Sequence, residues 1–298
     1  MTFQELFLAW YEHYAHTVAL ATAQNTHNYL HRYAPTDFWQ SDINDIKPKM
    51  VLDVSANTAK KSTFYARKII ADISRIYDFG VVMQYTERNP ASSLTRYKQK
   101  HHVKGFKSLP PSKMAWAFAK IERSAKPSQA VKMSFWTLVY TAVRRAEAVN
   151  ALKSEFNFDE MTWTIPAHRM KISGNGDHVV YLAPQVAKML QDYFATHDSI
   201  YAFPSRTTLD KPIATWSPYY MIKASDLQGL HTLHGFRKVF STHAHESRLW
   251  AIDTIELSIA HKIAGIRGVY NLATMTDERR RLMAWYANEV DKWRGIVR

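Results

Sequence analysis

The apolar positions of the first hundred residues recur at helical steps. Phe3, Leu6, Phe7, Trp10, Tyr11 and Tyr14 form the stripe of a helix buried along one side. A second helix is expected over 22–33 and a third from about Val51. A fourth is expected over 56–79, with Phe64, Ile69, Ile73, Ile76 and Tyr77 on its apolar side and Gly80 stopping it. After Asn89-Pro90-Ala91 the stripe is lost. The run RYKQKHHVKGFKSLPP, residues 96–111, has no periodicity, is rich in Lys and Arg, and ends in two prolines that stiffen it and start a new helix. These patterns predict a helical domain over 1–100 and a basic linker over 101–111.

Beyond the linker the pattern predicts a helix over 112–124 and, after Pro127, a longer apolar one through Met133, Trp136, Leu138, Val139 and Tyr140. The period then shortens. Residues 161–165, Lys171-Ile172 and residues 178–182 read as strands, with a turn over 173–177. Pro184 opens a helix through Val186, Met189, Leu190, Tyr193 and Phe194, and Ser217-Pro218 opens another. Thr232 can cap a helix whose first turn holds His234 and Arg237, and Asp253 can cap one reaching Ala260. At the end, Thr276 with Asp277 and Glu278 starts a helix with Leu282, Trp285, Tyr286, Val290 and Trp293 along one side, ending in Arg294 and Arg298. Such a stripe is too apolar to be left in water. The fold class expected is α+β: mainly α with a small β-hairpin or sheet, in two domains, 1–100 and 112–298.

Composition narrows the partners. With 298 residues and 46% hydrophobic content the chain can bury ordinary cores. A net charge of +13 favours a polyanion, because Lys and Arg that neutralise phosphates release condensed counterions. The absence of cysteine excludes disulfides, thiolate metal sites and a cysteine nucleophile. No apolar run approaches a membrane span, so the protein is expected in the cytoplasm, away from membranes. His101-His102 and His243-x-His245 lack further ligands at metal-binding spacing, so neither a metal nor another cofactor is expected. Lys60, Lys61, Arg67 and Lys68 on the fourth helix, with Lys104 and Lys107 in the linker, are the candidate DNA-facing cations.

Candidate chemistry concentrates in three stretches. Thr141-Ala142-Val143-Arg144-Arg145-Ala146-Glu147 sets an arginine one turn before an acid. Residues 163–171, WTIPAHRMK, lead to Lys171 just before the expected turn. His234 to Tyr270 contains His-x-x-Arg, then Ile259-Ala260-His261, then Tyr270 nine residues on, with Gly265 and Gly268 breaking any long helix before the tyrosine. The i, i+3 spacing puts the His234 imidazole and the Arg237 guanidinium on one face near a positive helix end, a geometry that suits an anion.

In this order and spacing the stretches resemble the signature of the tyrosine recombinases, the phage-type integrases. Ala142 stands where that family usually has glycine. The resemblance implies that Arg144 and Arg237 clamp a scissile phosphate and that Tyr270 attacks it to form a 3′-phosphotyrosyl link. It further implies that His234 exchanges the tyrosine proton, that Lys171 is the acid for the leaving 5′-hydroxyl, and that His261 donates a further hydrogen bond. The implied partner is a double-stranded DNA recombination site, bound by a homotetramer on two duplexes, with accessory directionality or DNA-bending proteins as further partners. The stripe after Tyr270 can pack on its own domain, but the resemblance implies that it docks on the neighbouring subunit, and docking is the expectation. Many integrases carry a further N-terminal arm-binding domain, whereas this chain starts directly on the core-binding helix. Two other functions use parts of the same set: type IB topoisomerase-like relaxation, and an integrase-derived DNA-binding regulator without catalysis, which would need neither Tyr270 nor Lys171.

Overall fold

The computed structural model of the protein describes residues 1–97, 105–124, 126–170, 176–261 and 274–296. The chain divides into two compact units, Met1–Lys104 and Gly105–Arg298.

The first unit is helical: α1 (Phe3–Ala15), α2 (Leu20–Tyr33), α3 (Thr36–Gln40), α4 (Pro48–Ala59) and α5 (Thr63–Val82). Helix α1 starts in a capping box, Thr2 accepting from the Glu5 N–H and Glu5 from the Thr2 N–H, and buries Phe3, Leu6, Phe7 and Trp10. Ile69, Ile70, Ile73, Ile76 and Tyr77 of α5 meet them in one core. The single helix expected over 56–79 is two helices. The chain leaves α4 after Ala59, and Ser62 restarts it by accepting from the Tyr65 N–H at 3.3 Å, the role for which serine is favoured at a helix start. Gly80 does not stop α5, which runs on to Val82. A Cβ at Gly80 would lie 3.0 Å from Leu6, so the glycine is there for close packing against α1. Asn89 fastens the segment after α5 by donating to the Ser74 carbonyl at 2.9 Å and to Asp78 at 2.7 Å.

The second unit contains α6 (Met114–Ser124), α7 (Gln129–Thr141), α8 (Arg145–Val149), β1 (Phe156–Asn157), β2 (Thr162–Ile165), β3 (His178–Tyr181), α9 (Pro184–Phe194), α10 (Tyr219–Lys223), α11 (Leu233–Ser247), α12 (Ile252–Ser258) and α13 (Thr276–Arg294). The three described strands form one antiparallel sheet in the order β1-β2-β3, with Trp163 opposite Val180 and Ile165 opposite His178. The strand expected at Lys171-Ile172 lies outside the described residues. Of the stretch expected to link the domains, residues 105–111 belong to the second unit. There the Leu109 N–H donates to His231 Nδ1 at 3.0 Å, and the Ser108 hydroxyl donates to the Gly235 carbonyl at 3.1 Å.

Two expectations are corrected here. Asp253 does not cap α12; it lies buried in the first turn, and Ala251 holds the cap position. The stripe of α13 does not wait for a neighbouring subunit. Leu282, Met283, Tyr286, Ala287 and Val290 are buried in the core of their own unit, where Tyr286 meets Phe240 edge-on. The end of α13 is fixed in the same way, since Arg294 stacks on Trp136, pairs with Glu122 at 2.6 Å and donates to the Tyr140 hydroxyl at 3.0 Å. Tyr140 in turn donates to Asp291.

Candidate active site

Helix α11 begins at Thr232, whose hydroxyl accepts from the Gly235 N–H at 3.0 Å and donates to the Lys107 carbonyl at 3.2 Å. This fixes the first turn, and with it His234 and Arg237. Gly235, between them, has no room for a side chain: a Cβ would lie 2.8 Å from the Lys107 carbonyl oxygen. The exposed ring of Phe106 packs 4.5 Å from the His234 imidazole.

Arg237 is only 4% exposed. Its Nη1 donates to the Ala142 carbonyl at 3.0 Å, and its Nη2 donates to the Ile259 carbonyl. These two carbonyls belong to the turns that present Arg144 and His261, so one guanidinium ties both turns to α11. Burial, and then the charge of Arg144, hold Arg237 below the ordinary guanidinium range, at about 10, so it remains charged at neutral pH.

Helix α7 ends at Ala142, which adopts the left-handed conformation with φ 52° and is fully buried. The position where the family usually has glycine therefore makes a glycine-type turn, with alanine bearing the steric cost. Arg144 follows at the start of α8. The Glu147 side chain is 2% exposed and accepts from the Arg144 N–H and from Arg144 Nη1, both at 2.8 Å. The pair is thus a buried brace and not a solvated surface ion pair.

His261 follows Ala260, which has φ 51°. Its N–H donates to the Glu256 carbonyl at 3.0 Å, and its Nδ1 lies 2.6 Å from the Glu256 carboxylate. His234, Arg237, Lys238, Ser241, Ile259 and His261 line one open cleft of about 270 Å³ together with Gly105 and Phe106. His178 on β3 is the neighbour that patterning did not single out. It is 9% exposed, and burial followed by the charges of Arg279, Arg237 and Arg144 push its imidazole down to about 3, so it is neutral. Glu256 was also missed, because five residues from His261 is not a helical spacing and only the turn at Ala260 brings it back. A histidine facing inward on an otherwise apolar strand was the available signal for His178.

Lys171 and Tyr270 lie outside the described residues, as does Lys104. Of the candidate DNA-facing cations in the first unit, Lys60, Lys61 and Arg67 are exposed, while Lys68 is half-buried, 5.0 Å over the Tyr29 ring and 4.0 Å from Asp72. Lys107 is exposed in the second unit. Among the described residues no group of three His, Asp or Glu side chains could hold a metal ion, and no helix is long and apolar enough to cross a membrane.

A helical unit is thus followed by an α+β unit in which Arg237 ties together the turns bearing Arg144 and His261, and comparison with known proteins gives the class. Residues 3–97 match the phage integrase central domain and residues 113–276 the phage integrase family. The prophage integrase IntZ of Escherichia coli (strain K12) is 30% identical over 283 residues, covering 95% of this chain and 67% of IntZ. The integrase of Shigella phage Sf6 is 28% identical over 98% of this chain and 76% of its own length. Among solved structures, a lambda integrase tetramer bound to a Holliday junction superimposes with a TM-score of 0.68 at 13% identity, covering 88% of this chain and 78% of the other. The chain belongs to the phage integrase family and is a site-specific tyrosine recombinase.

Proposed function

We propose that this recombinase cuts and rejoins double-stranded DNA at a specific site through the residues named above, acting in the cytoplasm as a tetramer on two duplexes. The observation that carries the reading is the double tether of Arg237 to the turns bearing Arg144 and His261. Arg144, braced by Glu147, and Arg237, tied to the turn before it, are the guanidinium donors that would meet the oxygens of one phosphate. Tyr270 Oη attacks the phosphorus and the bond to the 5′ oxygen breaks. His234 takes the tyrosine proton, and Lys171 supplies a proton to the departing 5′-hydroxyl. Arg144, Arg237 and His261 hold the non-bridging oxygens as charge builds on them. The bond energy stays in the phosphotyrosyl link, so resealing by another 5′-hydroxyl needs no nucleotide. The lambda tetramer on a Holliday junction supports the assembly.

The test is a nicked suicide duplex carrying the recombination site, resolved on a denaturing gel. The wild-type protein should give a covalent adduct, and Tyr270→Phe should give none while binding DNA normally. Arg144→Ala and Arg237→Ala should each slow adduct formation by roughly two to three powers of ten. An adduct with the phenylalanine variant would place the nucleophile elsewhere.

A further inference from the structure

Arg169 lies outside the residues assigned above, yet its guanidinium is spent inside the protein. Its side chain is 14% exposed, and it pairs through Nη1 with Glu155, itself 5% exposed. The same carboxylate accepts from Trp163 Nε1 at 2.9 Å, and Trp163 is fully buried in β2. The other arm, Nη2, donates to the main-chain carbonyl of Glu147 at 2.6 Å. That carbonyl belongs to the middle residue of α8, a helix of five residues whose last carbonyls cannot be satisfied within it. At about 1.5 Å per residue α8 is too short to bend, so fixing its middle residue fixes its start. Its start is Arg144, held at main chain and side chain by the carboxylate of the same Glu147.

We propose that Arg169 is a positioning residue for Arg144, transmitting the rigid placement of the sheet through Glu155 and Glu147 to the arginine that grips the phosphate. This rests on the role given to Arg144 above. The chemistry requires an arginine. The planar fork presents two donors at fixed separation, one for a carboxylate and one for a carbonyl, whereas a lysine offers its donors from one point and can satisfy only one partner well. A buried ion pair adds little to stability compared with apolar side chains of the same size, so its value here is in fixing geometry.

Arg169→Lys should lower the single-turnover rate of adduct formation about ten- to a hundredfold, the scale of a small misplacement of a catalytic group, with DNA binding unchanged. A structural role alone would not predict the decisive readout, which is coupling. In an Arg144→Lys background, adding Arg169→Lys should slow cleavage no further than about twofold, because the group it positions is already displaced. A wild-type rate for Arg169→Lys, or a double variant slowed by the product of the two single effects, overturns the proposal. If Arg144→Lys itself cleaves at the wild-type rate, the phosphate-clamp reading fails and this inference falls with it. Multiplicative effects with a slow Arg144→Lys remove only the role of Arg169. Should Arg169→Lys fail to fold, Glu155→Gln goes through the same cycle with the same criteria, since it keeps an acceptor for Trp163 and removes the charge that orients Arg169.

Discussion

Gly235 illustrates how narrowly single residues are constrained around this site. The methyl of Gly235→Ala would meet the Lys107 carbonyl at 2.8 Å and the His231 ring at 3.0 Å, groups held by hydrogen bonds and unable to yield cheaply. Overpacking of this kind should cost about 1–3 kcal/mol in a denaturant titration, and an unchanged midpoint would show that the 105–109 segment gives way. Two buried histidines set a pH dependence. Burial pushes His231 down to about 4, and burial with three arginines pushes His178 down to about 3. Their folded values lie below the unfolded value of about 6.5, so above that pH both states are neutral and nothing is lost. As pH falls below about 6.5 the unfolded chain takes up protons that the folded one refuses, and each histidine removes up to about 1.4 kcal/mol of stability per pH unit. Denaturant midpoints at pH 7, 6 and 5 should therefore decline, and a flat series would show that neither ring is held neutral. None of this was readable from spacing. Arg237 and His261 were legible as a motif, but the Ala142 and Ile259 carbonyls and Glu256 reach them only through the fold.

At the scale of elements, long stripes were legible because burial on one side imposes a 3.6-residue period that length reinforces. Helices α1, α7, α9 and α11 fall close to where their apolar positions put them. The two-residue strand β1 has no period to read, and the break between α4 and α5 is set by a cap at Ser62 that the continuing apolar pattern hides. Helix α13 shows the other limit, since an apolar stripe declares that it must dock but not on what. Its burial in its own unit yields a prediction of the opposite sign to one based on subunit docking. Truncation after Leu272 would expose the partners of Leu282, Met283, Tyr286 and Val290, each contributing about 1.5–3 kcal/mol. That is comparable to the whole stability of a domain. The truncated protein should lose the cooperative unfolding transition of the second unit by circular dichroism. A folded truncated protein impaired only in synapsis would restore the docking role.

For the whole molecule, charge is the property that scales. A net charge of +13 on 298 residues implies DNA binding that weakens steeply with salt. Each of Lys60, Lys61, Arg67 and Lys107 that contacts a phosphate should reduce the slope of log K against log salt by about 0.9 when changed to alanine. Filter binding between low and physiological salt reads this directly, and an unchanged slope removes that residue from the interface. Lys68, already engaged with Tyr29 and Asp72, is expected to change the slope least.

The segment before α6 also bears on how this protein tolerates changes in length. Lys107, Ser108 and Leu109 are bonded in register to Thr232, Gly235 and His231, at the first turn of the helix carrying His234 and Arg237. One residue inserted between Lys107 and Leu109 would put these bonds out of step and disturb that turn, although every insertion there is far in sequence from the motifs. The same residue added before Gly105 leaves all three bonds in place. Length variation and fusion junctions in this part of the chain should therefore be confined to the amino-terminal side of Gly105.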